Sequence, residues 1–155
     1  MTAPRAALYA RTSTLDRGQD PELQLEELRR LAEQRGWVVV DEYKDAGLSG
    51  TKDARPALDA LMDDARRGRL DVVAVWRFDR FARSTRHLLR ALEEFRALGV
   101  DFVSQREAID TSTPMGRMVF TMIAAVAELE AALIRERVQA GVDRAKAAGK
   151  HCGRP

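Results

Sequence analysis

Ser13 lies two residues beyond Arg11 in the segment Tyr9-Ala10-Arg11-Thr12-Ser13-Thr14, and three more arginines stand at comparable turning points of the chain. Arg55 closes a loop containing Gly and Ser, while Arg80 and Arg83 belong to Phe78-Asp79-Arg80-Phe81-Ala82-Arg83. A hydroxyl that attacks phosphorus drives negative charge onto the equatorial phosphate oxygens. Guanidinium groups are permanently charged and can bind two oxygens at once, which suits them to hold that charge. One serine among four arginines therefore points to phosphoryl transfer. Taken singly, a serine just past a strand is a turn or cap residue and a lone arginine is half of a surface ion pair, so the chemistry rests on the conjunction. Arg11 and Ser13 share a face on extended backbone, and Arg80 and Arg83, three apart, share one on a helical turn.

Activation of the hydroxyl needs a proton acceptor, and the chain has only two histidines. His87 falls between Arg86 and Arg90 in a helical stretch and reads as exposed; His151 is in the tail. Asp79 is the better candidate for proton transfer or for orienting the arginines, and as a strand-end residue it could equally be a helix N-cap. No His/Cys cluster and no carboxylate pair at helical or strand spacing accompanies the arginines, so neither a metal nor a cofactor is expected, and Asp63-Asp64 reads as a solvated helix face. Gly47-Leu48-Ser49-Gly50-Thr51 lacks the Lys-Ser/Thr that completes a nucleotide-binding phosphate loop.

These residues have to be held by a scaffold, and the pattern supplies one. Short apolar runs at Ala6 to Tyr9, Trp37 to Val40, Val72 to Trp76 and Val100 to Ser104 alternate with amphipathic stretches, the pattern of βα units around a mainly parallel sheet of four to five strands flanked by helices. Asp20-Pro21 opens the first helix and Gly36 ends it; Pro56 opens the second, closed by Gly68; Ser84 or Thr85 caps the third, which ends at Gly99. The irregular stretches, Thr12 to Asp20, Lys44 to Arg55 and Glu107 to Pro114, leave the carboxyl ends of strands, where function usually sits in such sheets. With 155 residues and 45% hydrophobic content, one α/β core over residues 1–113 is expected.

From about Met115 to Ala148 the pattern is helical, with glycine at 116 and 141 and no proline, a length of roughly 50 Å, longer than such a domain is wide, so the helix is expected to project. Two adjacent apolar stripes run along it. Met115, Met118, Met122, Ala125, Leu129 and Ala132 form one; Val119, Ile123, Val126 and Leu133 form the other. One stripe can face its own core, and the second calls for a partner, most economically the same helix of a second subunit. Residues 114–149 are thus read as a dimerisation helix in the same domain unit. Charge is uneven too: residues 135–155 hold six Lys/Arg against two Asp/Glu, leaving the other 134 residues at −2 (20 basic, 22 acidic) out of a total of +2. A basic end suits nucleic acid, or equally a solvated helix end with cations near the negative pole of its dipole. Cys152 is the only cysteine and the N-terminal apolar run is too short for a signal or a membrane span, so a cytoplasmic protein with no membrane partner is expected.

Taken together, several segments in order resemble the catalytic domain of a serine recombinase of the resolvase/invertase family: Tyr9 to Thr14, Gln19 with Gln24, Asp45 to Gly50 through Arg55-Pro56, Phe78 to Arg83, Asp110-Thr-Ser-Thr-Pro-Met-Gly-Arg117, and Glu136-Arg137. The resemblance spans nearly the whole chain. It implies site-specific DNA recombination in which Ser13 attacks a DNA phosphodiester, forming a 5′-phosphoserine link and freeing a 3′-hydroxyl. Arg11, Arg55, Arg80 and Arg83 would position the phosphate, assisted by Asp79 and Gln19, and rejoining would need neither ATP nor metal. It further implies a homodimer through the long helix, a synaptic tetramer on double-stranded DNA, and a basic end, with Arg137, Arg144, Lys146, Lys150 and Arg154, lying along the DNA backbone or in the minor groove. Residues 150–155 would begin a linker to a further DNA-binding region. Two other readings remain: a catalytically silent dimerisation or synapsis module of the same fold, and a small doubly wound signalling domain with an incidental anion site.

Overall fold

In a computed structural model of the chain, which describes residues 2–12, 20–46 and 55–154, the five residues Ala6 to Ala10 are all fully buried. A run apolar on both faces is what a central parallel strand requires. Strand β1 (Arg5–Thr12) pairs in parallel with β2 (Val38–Ala46) on one side and β3 (Val72–Val75) on the other; β4 (Asp101–Ser104) adds in parallel to β3, and β5 (Ile109–Asp110) closes the sheet antiparallel to β4. The order is β2-β1-β3-β4-β5. Its switch point, where successive connections depart to opposite sides, lies at the carboxyl ends of β1 and β3, the place where open α/β sheets bind their ligands.

Helix α1 (Pro21–Arg35) starts as the residues dictate: the Asp20 carboxylate accepts from the Glu22 N–H at 2.9 Å and Pro21 fills the first position. It ends at Gly36, whose φ of 70° lies in the left-handed region open to glycine. Leu25 and Leu28 pack with Leu8, Ala10 and Ala74 in a fully buried cluster, each contributing about 1.5–3 kcal/mol of apolar burial. Helix α2 (Pro56–Arg66) buries Leu58, Leu61 and Ala65, and α4 (Thr85–Leu98), capped by Ser84, buries Leu88, Ala91, Leu92 and Phe95. Between β3 and α4 lies a single helical turn, α3 (Phe78–Phe81). Helix α5 (Pro114–Ala147) crosses from a compact unit of residues 1–119 into a second of residues 120–155.

Three local differences from the sequence reading have physical causes. Strand β2 continues six residues past Val40 into a stretch read partly as irregular, because an edge strand pairs on one side only and exposes charged residues: of its nine residues only Tyr43 and Asp45 are buried. Strand β5, two residues long, leaves no periodicity to detect. Arg80 and Arg83 do not share a helical face, because α3 ends at Phe81 and Ala82 is extended (φ −110°, ψ 145°).

The start of α5 is tied to β5. Thr113 Oγ1 accepts from the Gly116 N–H at 3.0 Å and donates to the Asp110 carbonyl, while the Asp110 carboxylate takes hydrogen bonds from the Ser112 hydroxyl, the Ser112 N–H and Arg35. Burial alone would raise the Asp110 carboxyl, but the bonds from Ser112 and Arg35 outweigh it and hold the group below its ordinary value. A carboxyl depressed in the folded state stabilises above its unfolded pKa, and that contribution disappears as pH falls through the folded value. Asp110→Asn should therefore flatten the decline of stability below about pH 4, as urea titrations at successive pH values would reveal. Glycine at 116 is demanded by space, since a Cβ there would lie 1.7 Å from the Asp110 carbonyl oxygen. Gly116→Ala should lower unfolding free energy by at least about 2 kcal/mol, because backbone rather than a flexible side chain stands in the way. At Ala108, by contrast, φ is 52°; Ala108→Gly should raise stability by about 0.5–1 kcal/mol in the same denaturation experiment.

Candidate active site

At the carboxyl end of the sheet a buried phenol needs a polar partner, and Tyr9 finds one: its hydroxyl donates to Asp45 Oδ2 at 2.8 Å. Asp45, on β2, also accepts from the Ala57 and Leu58 N–H groups at 2.9 and 3.0 Å. It thereby caps α2 from outside the helix, a service that Arg55 in the N-cap position does not perform with its own side chain. One carboxylate joins β1, β2 and α2. Burial first, and the bond to Asp45 second, raise the Tyr9 hydroxyl well above its ordinary pKa, against the opposing fields of Arg55 and Arg11. Both guanidiniums thus bear on one buried point.

Arg55 is only 4% exposed, and its Nη1 donates to the Phe81 carbonyl at 2.6 Å. The Phe81 ring, itself fully buried, lies 5.9 Å edge-on from Tyr9, 5.1 Å from Phe102, 6.1 Å from Phe95 and 6.3 Å from His87. One residue therefore anchors a cation through its carbonyl and the core through its ring. Beyond it the Arg83 N–H donates to His87 Nδ1 at 3.4 Å. His87 is half-buried rather than exposed as its charged neighbours suggested; burial first, then the fields of Arg55, Arg83 and Arg90, hold its pKa below the ordinary histidine value. Arg55 and Arg11 act on the Tyr9 hydroxyl, and Arg55, Arg83 and Arg90 act on His87, so Arg55 bears on both.

Asp79 is not a cap. It lies within α3, more than half exposed, and pairs with Arg77 at 3.2 Å. Arg80, on the same turn, is half-buried, and Arg83 is exposed. Ser13 and Gln19 lie outside the described residues. Asp64, read as solvated, instead accepts from the Tyr43 hydroxyl at 2.6 Å and from Arg69; Asp63 is exposed and pairs with Arg66 at 3.2 Å. Arg137, Arg144, Lys146, Lys150 and Arg154 are all exposed. Along α5, Met115, Met118, Met122 and Leu129 are 65, 51, 60 and 59% exposed, Ala125 is exposed and Ala132 half-buried. Among the described residues no three His, Cys, Asp or Glu side chains converge to hold a metal ion, and no helix is long and apolar enough to cross a membrane.

Sequence reasoning gave four contributors no role in holding the site. Gln24, 3% exposed on α1, donates to the Arg11 carbonyl at 3.2 Å and so steadies the end of β1. The Tyr9–Asp45 pair was hinted at by a tyrosine ending an otherwise apolar run. His87 was hinted at by Ser84, three residues earlier, whose Oγ accepts from the His87 N–H at 3.1 Å. The partner supplied by the Phe81 main chain had no signal in side-chain types at all.

Residues 6–151 match the family model described as "Resolvase, N terminal domain". The DNA-invertase of Escherichia phage P1 is 42% identical over 146 residues, 94% of this chain and 73% of that protein. The Tn917 resolvase of Enterococcus faecalis is 38% identical over 95% of this chain and 74% of that one. The crystal structure of the N-terminal catalytic domain of TP901-1 integrase superposes with a TM-score of 0.75 at 39% identity, covering 83% of this chain and 98% of that one. With the fold, the arginine cluster and these likenesses in agreement, the chain belongs to the resolvase family and is a serine recombinase.

Proposed function

We propose that this chain cuts and rejoins double-stranded DNA at specific sites with Ser13 as the nucleophile. The Ser13 Oγ forms a bond to the scissile phosphorus as the bond from phosphorus to O3′ breaks. The hydroxyl proton is given up, the 3′ oxygen leaves as a hydroxyl once it gains one, and a 5′-phosphoserine link remains. Because one phosphodiester replaces another, the reverse attack by a 3′-hydroxyl restores DNA without an external energy source. Arg11, Arg55, Arg80 and Arg83 hold the non-bridging oxygens and the charge that grows on them, so metal is not required. Asp79 transfers the proton or orients the arginines, and Gln19 assists. The observation that supports this reading is the burial of Arg55, 4% exposed with its Nη1 donating to the Phe81 carbonyl at 2.6 Å.

Two further assignments complete it. The exposed apolar residues of α5, Met115 to Leu129, pack against the same helix of a second subunit, and two such dimers form the synaptic tetramer in which strands are exchanged. A continuous apolar surface of this kind on a soluble chain marks an interaction site. The basic residues from Arg137 to Arg154 follow the DNA backbone and supply affinity that depends on salt.

To test the chemistry, the chain is joined to a sequence-specific zinc-finger array and given supercoiled DNA with paired sites. A DNA adduct on Ser13, found by denaturing gel and peptide mass spectrometry, is expected with EDTA present and absent from Ser13→Ala. Confirmed DNA binding and dimerisation without any adduct would favour the silent synapsis module. Arg83→Ala should slow adduct formation by about 10²-fold or more, the usual effect of removing one donor to a developing oxyanion. For the interface, the double substitution Met122→Glu and Leu129→Glu should convert a dimer into a monomer in sedimentation velocity; an unchanged mass would remove α5 from the interface.

A further inference from the structure

We propose that His87 is a positioning residue for the recombination reaction, a neutral imidazole that holds the Arg83 main chain and, through Phe81, the Arg55 guanidinium in the geometry that receives the phosphate. The inference rests on the recombinase reading of the site. Three contacts carry it. His87 Nδ1 accepts from the Arg83 N–H at 3.4 Å. The imidazole stacks on the Phe81 ring at 6.3 Å and 18° between planes. The Phe81 carbonyl in turn receives Arg55 Nη1 at 2.6 Å. One ring thus braces two arginines that come from different elements, and the Ser84 Oγ, accepting from the His87 N–H, fixes where that ring begins. A helix N-terminus needs only the serine for its cap; the additional bond from His87 back to Arg83 orders the segment before the helix.

Only the neutral form can do this. An acceptor at Nδ1 places the proton on Nε2, and protonation of Nδ1 turns the acceptor into a donor facing another N–H. The imidazole lines a cavity of about 380 Å³ between α2 and α4. Arg55, Arg83 and Arg90 bear on it as cations. The cavity's acids are Asp59, Asp63 and Glu94, of which Asp63 and Glu94 share the single Arg66 at 3.2 and 2.5 Å. Burial first, and then the fields of Arg55, Arg83 and Arg90, oppose an imidazolium. As pH falls, His87 remains neutral below the usual value of about 6.5 and then charges, adding a fourth cation to the cluster and releasing Arg83.

The test measures Ser13 adduct formation with the same zinc-finger fusion between about pH 5 and 8, the range in which histidines titrate, in wild type, His87→Asn, His87→Leu and the control His151→Asn. Asparagine keeps an acceptor near the Nδ1 position and does not titrate; leucine keeps apolar packing and has no acceptor. Wild type and His151→Asn should lose rate on the acid side. His87→Asn should lack that acid limb and stay within about 3-fold of wild type at neutral pH, whereas His87→Leu should fall by about 10-fold or more at every pH with an unchanged melting temperature (10-fold in rate is about 1.4 kcal/mol). Equal rates for His87→Leu and His87→Asn, or an acid limb retained in His87→Asn, would overturn the proposal. A second readout separates this inference from the reading beneath it. In the nitrogen-15 spectrum of the 155-residue chain, the Arg83 amide should titrate with the His87 ring and shift in His87→Leu. If wild type forms no adduct at any pH, the recombinase chemistry fails on its own account, and an Arg83 amide indifferent to His87 ionisation then refutes the brace as well.

Discussion

A guanidinium at 4% exposure, with other guanidiniums bearing on the same locus, is the constraint around which the carboxyl end of this sheet is arranged. Removing a cation from water costs several kcal/mol even after relaxation, and like charges nearby add to that. The surrounding structure answers with dipoles and with order. The Phe81 carbonyl meets Arg55 directly. Asp45 contributes its negative charge to the Tyr9 locus while its oxygens hold Tyr9 and the first amides of α2, so one carboxylate ties the scaffold together at this point. A buried cation thus strains the fold at this point.

The aromatic cluster is what makes that strain tolerable. Phe81 packs against Tyr9, Phe95, Phe102 and His87, so the single helical turn that ends with it is anchored to β1, β4 and α4 at once. A four-residue helix has no cooperative stability of its own. Its position comes from the core, and with it come Asp79, Arg80 and the approach to Arg83. Glu107 adds a polar tie, accepting from the Ser104 hydroxyl and from the Phe78 N–H, so the turn after β4 holds the start of α3. Chemistry-bearing residues on irregular backbone are thus placed by regular elements on three sides.

Much of this was legible in residue types. The capped starts of α1, α2 and α4, the buried runs of β1 and β3 and the extent of α5 follow from Asp20-Pro21, Pro56, Ser84, alternating apolar blocks and a long stretch without Pro, because each of these is a local signal with a local cause. Arg55 and Arg83 stood out in the sequence through their company, not their surroundings. What could not be read was any property set by the third dimension. Trp37 to Val40 looks like a strand that ends, and only pairing to β1 reveals that the charged residues after it continue the edge. His87 looks exposed among Arg86 and Arg90 until Phe81 is seen beneath it. The contact between Gly116 and the Asp110 carbonyl joins residues six apart through a turn whose geometry no composition rule describes.

Charge distribution gives the site a further property. The first 134 residues carry a formal −2 and the last 21 carry +4. Interactions between exposed charges fade beyond the Debye length of about 8 Å, so it is at close approach that the basic end attracts a polyanion while the net charge of the body has the opposite sign. The buried guanidinium of Arg55 contributes little to that far field, because its effect is local and strongest where water is excluded. Exposed cations such as Arg144 and Lys150 thus act at a different range from the buried Arg55, so long-range attraction and short-range charge stabilisation are separated within one chain.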